Sequence, residues 1–192
     1  MLRYLLFLLF IYCCIDLPGQ TKYEKEYRIP VKDVPEEALN YVNQYGFIKR
    51  IKWYKEESLT GMSIEAKSKK DKQKYSIEFD TNGQLQDVEI GFDIEKISTE
   101  VRALIQTSLN KEFDRFKFRK IQKQYAGPPQ YILDYLTGKV TELDPSVRIQ
   151  FEIVLEGRKA SKAHLYEYTF SKAGALVSKN RIVLRNTDIL EY

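Results

Sequence analysis

The chain has 192 residues, with 31 Lys and Arg against 27 Asp and Glu, a net charge of +4 and a single histidine. So mild a positive balance favours solubility and at most weak contact with an anionic membrane or glycan surface, and gives no ground for a nucleic-acid partner. The only cysteines, Cys13 and Cys14, sit near the start, so the rest of the chain holds no disulfide framework, thiol nucleophile or thiolate metal site.

Residues 1–19 place Arg3 before an apolar run from Tyr4 to Ile15, with Pro18 and Gly19 behind it. That is the order of a secretory signal peptide, and the run is shorter than the roughly 20 residues of a membrane-spanning helix. The expectation is an exported chain, periplasmic or secreted, cut near Gly19. A retained anchor is one alternative. A lipoprotein acylated at Cys13 or Cys14 ranks behind cleavage, because Ile11 and Tyr12 are bulkier than such processing sites favour.

Two units are expected to follow, 20–93 and 94–192. In the first, Asp33 is the expected cap of a helix, with Pro35 in its opening turn and Glu36 three residues after the cap. Val34, Ala38, Tyr41, Val42 and Tyr45 form one apolar stripe, and Gly46 ends it. Strands are expected at 47–57, 61–68, 74–80 and 84–92. Tyr75, Ile77 and Phe79 alternate there with polar residues, the mark of a strand buried on one face. In the second unit Ser98 caps a helix striped by Val101, Leu104, Ile105, Leu109 and Phe113. Strands are expected at 116–125, 147–157, 163–170 and 175–184.

The units echo each other. Tyr75, Phe79, Gly83 and Leu85 return at one constant offset as Tyr166, Phe170, Gly174 and Leu176. Val31, Val34, Glu37, Ala38 and Val42 return as Ile94, Ile97, Glu100, Val101 and Ile105. Such repetition points to one supersecondary unit written twice. The expected fold is α+β: two tandem units, each a helix and a four-stranded antiparallel meander, joined in one continuous sheet with the helices on one face. Phe-x-x-x-Gly-x-Leu reads as a hairpin tip in which Gly83 and Gly174 take the left-handed conformation. An insertion at 125–145 lengthens the second unit. Pro128 and Pro129 open it, and Tyr131, Ile132, Tyr135 and Leu136 suggest a short amphipathic turn of helix.

VPEEAL with Phe47 and Trp53, YSIEFDTNGQL, and their counterparts in the second unit resemble the PepSY-like family of exported bacterial proteins. The tandem form of that family is related in fold to the β-lactamase-inhibitory protein. The resemblance implies an eight-stranded sheet with an open concave face and a role in binding or inhibiting envelope proteins. It carries no catalytic residues over, and the 125–145 insertion departs from its pattern.

Candidate chemistry is sparse. His164 has no second histidine or cysteine to complete a zinc or nucleophile site. Glu78, Asp80, Asn82, Gly83, Leu85 and Glu89 fall at calcium-loop spacing. Glu stands where Asp is usual, strands flank the loop, and turn chemistry already explains Asn82-Gly83, so no metal is expected. KSKKDKQK (67–74) reads as a solvated hairpin tip. The basic and aromatic mixture at 113–125 reads as strand alternation rather than a single-strand nucleic-acid surface. Trp53 is expected inside and Tyr54 outside.

No catalytic set and no cofactor fingerprint emerges, so no enzyme is expected. The sequence instead predicts an exported, inhibitor-like binding module that recognises an envelope or surface protein through its open sheet face. That face would present Tyr54, Glu78, Lys117, Arg119, Arg148, Gln150, Glu152 and Glu167. The alternative is a periplasmic carrier of a small ligand or lipid, with the 125–145 insertion as its lid.

Overall fold

Ten strands and three helices make up the computed structural model, which describes residues 20–59 and 61–183. Residues 1–19, the expected signal segment with Cys13 and Cys14, lie outside the described residues. In chain order the strands are β1 (Gln20–Lys22), β2 (Glu24–Ile29), β3 (Lys52–Ser58), β4 (Met62–Lys70), β5 (Gln73–Asp80), β6 (Leu85–Gly91), β7 (Arg115–Ala126), β8 (Arg148–Lys159), β9 (Lys162–Ser171) and β10 (Leu176–Ile182). The helices are α1 (Glu36–Asn43), between β2 and β3, α2 (Thr99–Asn110), between β6 and β7, and α3 (Pro129–Leu136), between β7 and β8. The molecule is α+β.

The helix starts follow local chemistry. Ser98 caps α2 by accepting the Val101 N–H at 3.4 Å, as its position predicts. Asp33 does not cap α1. It closes a 3-10 turn, Val31–Asp33, and donates its own N–H to the Pro30 carbonyl, while Pro35 occupies the cap position. A matching turn, Ile94–Lys96, precedes α2. The first expected strand is shorter than 47–57, beginning at Lys52.

The largest difference from the sequence reading is at residues 20–29, to which that reading assigns no element. They form β1 and β2, separated only by Tyr23. The sheet order is β1-β10-β9-β8-β7-β6-β5-β4-β3-β2, so these two neighbours in the chain occupy its opposite edges. β1 pairs in parallel with β10 (Thr21 beside Arg181), and β2 pairs antiparallel with β3 (Ile29 beside Trp53). One extended segment thus covers both sheet edges. This is possible only if the sheet is rolled until its edges meet, and it leaves neither edge of the eight-stranded meander bare. The expected open concave face is therefore an enclosed interior.

The apolar strand faces lie on the outside of the roll, under the helices. Ile77, Phe79, Tyr168 and Phe170 are all buried there, as their alternation predicts. One core joins Ala38, Tyr41, Val42 and Tyr45 of the α1 segment to Trp53, Ile64, Ile77, Phe79 and Val88. The other joins Ile105, Leu109 and Phe113 to Phe151, Ile153, Leu155, Tyr168 and Phe170. Leu104, expected in this stripe, is 55 % exposed; the stripe is narrower than its periodicity implies.

The insertion forms α3, and α3 packs on the first core. Ile132 and Leu133 are fully buried in it, the Tyr41 hydroxyl donates to the Pro129 carbonyl at 3.0 Å, and Tyr131 of the expected amphipathic turn is exposed. This corrects the lid reading: the insertion covers the helix-bearing outside of the sheet, not its concave side. Leu133→Ala should cost about 3 kcal/mol of unfolding free energy, the usual penalty for a cavity at a fully buried leucine. Urea denaturation would check it. A loss below about 1 kcal/mol, outside the range of buried leucine truncations, would mean that α3 is not part of the core.

Candidate functional site

Residues that alternate with the outer core point into the roll, and they are almost all polar. Across β4, β5 and β6 the register sets Glu65 beside Glu78 and Glu78 beside Asp87. The next row sets Ser76 beside Glu89, and Glu89 beside Gln124 of β7. Gln122 then stands beside Glu152, and Val154 beside Glu167. Glu65, Glu89, Gln122, Gln150, Glu152 and Glu167 are all less than 10 % exposed. Charged groups avoid burial unless they are paired, so this density of sealed carboxylates marks the interior as the unusual part of the molecule.

Some of these groups are paired. Lys22 meets Glu167 at 2.6 Å, Lys67 meets Glu26 at 2.8 Å and Glu65 at 3.1 Å, and Lys120 meets Glu152 at 3.5 Å. Ser76 donates its hydroxyl to Glu65. Among the described residues, however, these three lysines face seven interior carboxylates: Glu56, Glu65, Glu78, Asp87, Glu89, Glu152 and Glu167.

The proton affinities follow from that imbalance. Burial pushes Glu65 and Asp87 up to about 7, helped by neighbouring carboxylates. Burial also lifts Glu78 and Glu89 well above the carboxylate range, with Asp87 adding to the first and Glu152 to the second. Glu56 and Glu167 are raised as well, chiefly by burial. Of the seven, Glu152 goes down: burial opposes its charge, but Lys120 and Lys22 outweigh burial. Burial pulls on Lys22 and Lys120 too, yet Glu167 and Glu152 hold both ammonium groups above the ordinary lysine range.

The interior opens at one end. A cavity of about 400 Å³ is lined by Lys22, Glu56, Ser58, Ser63, Glu78, Glu167 and Asn180, among others. β3 and β4 supply one side of it and β9 and β10 the other, so this mouth exists only because residues 20–29 draw the two edges together. Carboxylate oxygens of Glu78, Asp87 and Glu89 lie within 4.8 Å of one another beside it, a spacing able to hold a metal ion.

The eight residues expected on an open face are not one patch. Glu78, Gln150, Glu152 and Glu167 line the interior, with Gln150, Glu152 and Glu167 buried. Tyr54 is half-buried on the same side, with the Lys67 ammonium 5.0 Å from its ring centre. Lys117 and Arg119 are exposed near the start of β7, where Arg119 pairs with Glu156. Arg148 is exposed at the start of β8, by the opposite strand ends, and donates to Gln150 at 3.1 Å.

Sequence reasoning misses Lys22, Glu56, Glu65, Asp87, Lys120 and Gln122. Calcium-loop spacing comes near. Its Asp80 serves the hairpin turn instead, accepting the N–H groups of Asn82 and Gln84 at 2.9 and 2.8 Å. Its Glu78 and Glu89 do come together, but across two paired strands and with Asp87 as third member. His164 lies 3.0 Å from an Arg181 nitrogen, and the acid trio is the only such cluster of potential metal ligands among the described residues.

No family model and no curated protein matches the sequence. Solved structures do match the fold. A BLIP-like protein from Bacteroides fragilis superposes with a TM-score of 0.51 at 15 % identity, covering 84 % of this chain and 94 % of its own. A protein of the DUF2874 family from Bacteroides ovatus gives 0.53 at 9 %, covering 77 % and 87 %. A candidate periplasmic protein from Bacteroides eggerthii gives 0.52 at 11 %, covering 77 % and 88 %. At such identities the likeness concerns the fold alone: the chain has a BLIP-like fold.

Proposed function

We propose that this chain is an exported, non-enzymatic binding module built from two PepSY-like units, and that its binding site is the polar interior of the rolled sheet. The observation that carries this reading is the mouth. A cavity of about 400 Å³ is of the size that takes small molecules, and it leads to carboxylates and amides sealed from solvent. The ligand is small, polar and positively charged or rich in hydrogen-bond donors, since the walls offer acceptors in excess. A lipid tail fits poorly, because among the described residues Val154 is the one apolar side chain found buried on the inner face. Export is supported by the leader and by the likeness to a candidate periplasmic protein.

The test is a thermal-shift panel of small polar solutes (amines, amino acids and sugars) on the full chain. At least one solute should raise the unfolding midpoint, and Glu56→Gln at the mouth should abolish the shift. Arg148→Ala, outside the mouth, should leave it intact. A panel without a hit, or a bound lipid released in native mass spectrometry, would overturn the reading.

A protein partner is the second reading, favoured by the exposed Lys117, Arg119 and Arg148 and by the BLIP-like fold. Such a partner would engage the outer ends of the strands. Stoichiometric capture of one envelope protein, lost on Arg148→Glu, would establish it in place of the first.

A further inference from the structure

We propose that the strand ends opposite the mouth form a docking surface for a phospholipid bilayer carrying anionic headgroups. The proposal goes beyond the interior binding site and does not depend on it. In a meander, alternate turns share a rim, so the β4–β5 and β8–β9 hairpin tips, one from each unit, emerge together with the starts of β3 and β7. Ser58, Gly61 and Met62, around the β3–β4 turn at the other rim, border the mouth.

The register at this rim sets like charges against each other in both units: Lys69 beside Lys74, Arg115 beside Arg158, and Lys159 beside Lys162. All six side chains are exposed, and among the described residues no ion pair reaches any of them. Such opposition weakens a sheet. Both tips are tight two-residue turns with positive φ at each central residue, +49° and +69° at Asp71 and Lys72, +46° and +68° at Ala160 and Ser161. That hairpin geometry continues the strand twist, so the ladder fixes the flanking charges in place. Acids at the rim are few or engaged. Asp71 is one among four lysines, Asp114 accepts the Ala160 N–H at 3.0 Å, and Glu156 pairs with Arg119. The net charge of +4 understates this surface, because seven carboxylates and only three lysines are turned into the roll. An external array of anions relieves the repulsion at every pair at once.

An adjoining groove makes the partner a bilayer rather than a soluble polyanion. Beside the first tip, the Ser68 hydroxyl donates to the Lys49 carbonyl at 2.6 Å, and the Lys70 ammonium lies 4.2 Å from the centre of the Phe47 ring. These contacts hold the loop before β3 against the end of β4, and Lys49, Arg50 and Lys52 join the rim, all exposed. Lys52 and Arg28 also flank an open groove of about 390 Å³, whose walls are Ile29, Pro30, Val31, Ile51 and Trp53. Val31 is 56 % exposed there. A sulfated glycan would meet the cations and leave this apolar wall in water. Anionic lipids answer both: phosphates meet the lysines and arginines, and Val31 enters the boundary between headgroups and acyl chains. In that orientation the mouth faces away from the bilayer.

The test is flotation of the full chain with vesicles of phosphatidylcholine alone and with about 30 % phosphatidylglycerol, at low salt. Any hold by the apolar run at 4–15 is common to both vesicles, so the difference between them reports the rim. The anionic vesicles should bind about 100-fold more tightly or better, and about 0.5 M NaCl should remove the preference. Each basic residue near such a surface strengthens binding about fivefold. Lys69→Gln with Lys70→Gln and Lys72→Gln should therefore weaken it about 100-fold, and Arg158→Gln with Lys159→Gln, on the other tip, about 25-fold. Val31→Asp should weaken it several-fold. The charge-matched variant Lys25→Gln with Lys139→Gln and Lys172→Gln, at the other rim, should cost less than about threefold. Equal binding to the two vesicles, an equal loss in the charge-matched variant, or full binding by Val31→Asp overturns the proposal. Saturable binding to heparin without a preference between the vesicles overturns it too, and assigns the rim to a sulfated glycan.

Discussion

Gly83→Ala should lower the midpoint of thermal unfolding by about 10 °C, and Gly174→Ala should act in the same direction. Both glycines sit at hairpin tips with positive φ, +86° and +83°. A left-handed conformation costs a residue with a side chain about 1–2 kcal/mol. Space adds to the cost at Gly83. A Cβ there would lie 2.9 Å from the Pro35 Cβ and 3.0 Å from the backbone nitrogen of Ala38, so the hairpin tip and the start of α1 would have to part. Such overpacking costs typically about 1–3 kcal/mol more. At Gly174 the nearest atoms are the Leu104 Cβ at 3.2 Å and, each at 3.3 Å, a Val101 methyl and the Val101 carbonyl oxygen. These contacts are a few tenths of an ångström looser than those at Gly83, so the expected loss is smaller, about half. Calorimetry on the two variants measures both. An unchanged midpoint for Gly83→Ala would mean that the tip does not press against α1. The repeated glycine is thus a contact between meander and helix as much as a turn.

The parts of the fold legible in the sequence are those in which burial and apolarity coincide. Tyr75, Ile77 and Phe79 betray their strand because one face meets a helix, and Ser98 betrays α2 because an orphaned N–H needs its hydroxyl. The interior reverses that coincidence. Glu78, Glu152 and Glu167 alternate with core residues, and the alternation alone places them on the correct face. Nothing in a polar side chain distinguishes a face turned to solvent from one turned to an enclosed cavity. Residues 20–29, QTKYEKEYRI, escape for a related reason. Their strand has polar residues on both sides, which removes the period-2 signal on which strand recognition depends. They do not turn back on themselves either. Their pairing with β10 at one end and β3 at the other is a property of the rolled sheet and appears only when the whole meander is assembled. Asp87 and Gln122 join the site through register across β5, β6 and β7, information that no local spacing holds.

The chain should be most stable near pH 4 and lose about 10 °C of midpoint by pH 8. Glu65 and Asp87 are lifted to about 7 by burial, and Glu78, Glu89, Glu56 and Glu167 are raised with them. In the unfolded chain all of these ionise near pH 4. Between about 4 and 7 the native state therefore binds more protons than the unfolded state, and stability falls as pH rises through that window. A tenfold difference in proton affinity between the folded and unfolded chain corresponds to about 1.4 kcal/mol, so even a modest rise in several groups moves the midpoint measurably. Opposing groups are few. Glu152 is lowered, and its contribution, present above its unfolded value, is lost only as pH falls through its folded one. Lys22 and Lys120, raised by the carboxylates facing them, stay charged throughout. Glu65→Gln isolates one contributor: the amide oxygen can still accept from Ser76, and Lys67 keeps Glu26. That variant should flatten the slope between pH 5 and 8 and raise the midpoint at pH 8. A midpoint that climbs from pH 5 to 8 in the wild type would mean that the carboxylates meet bulk water and that the sheet is not rolled shut.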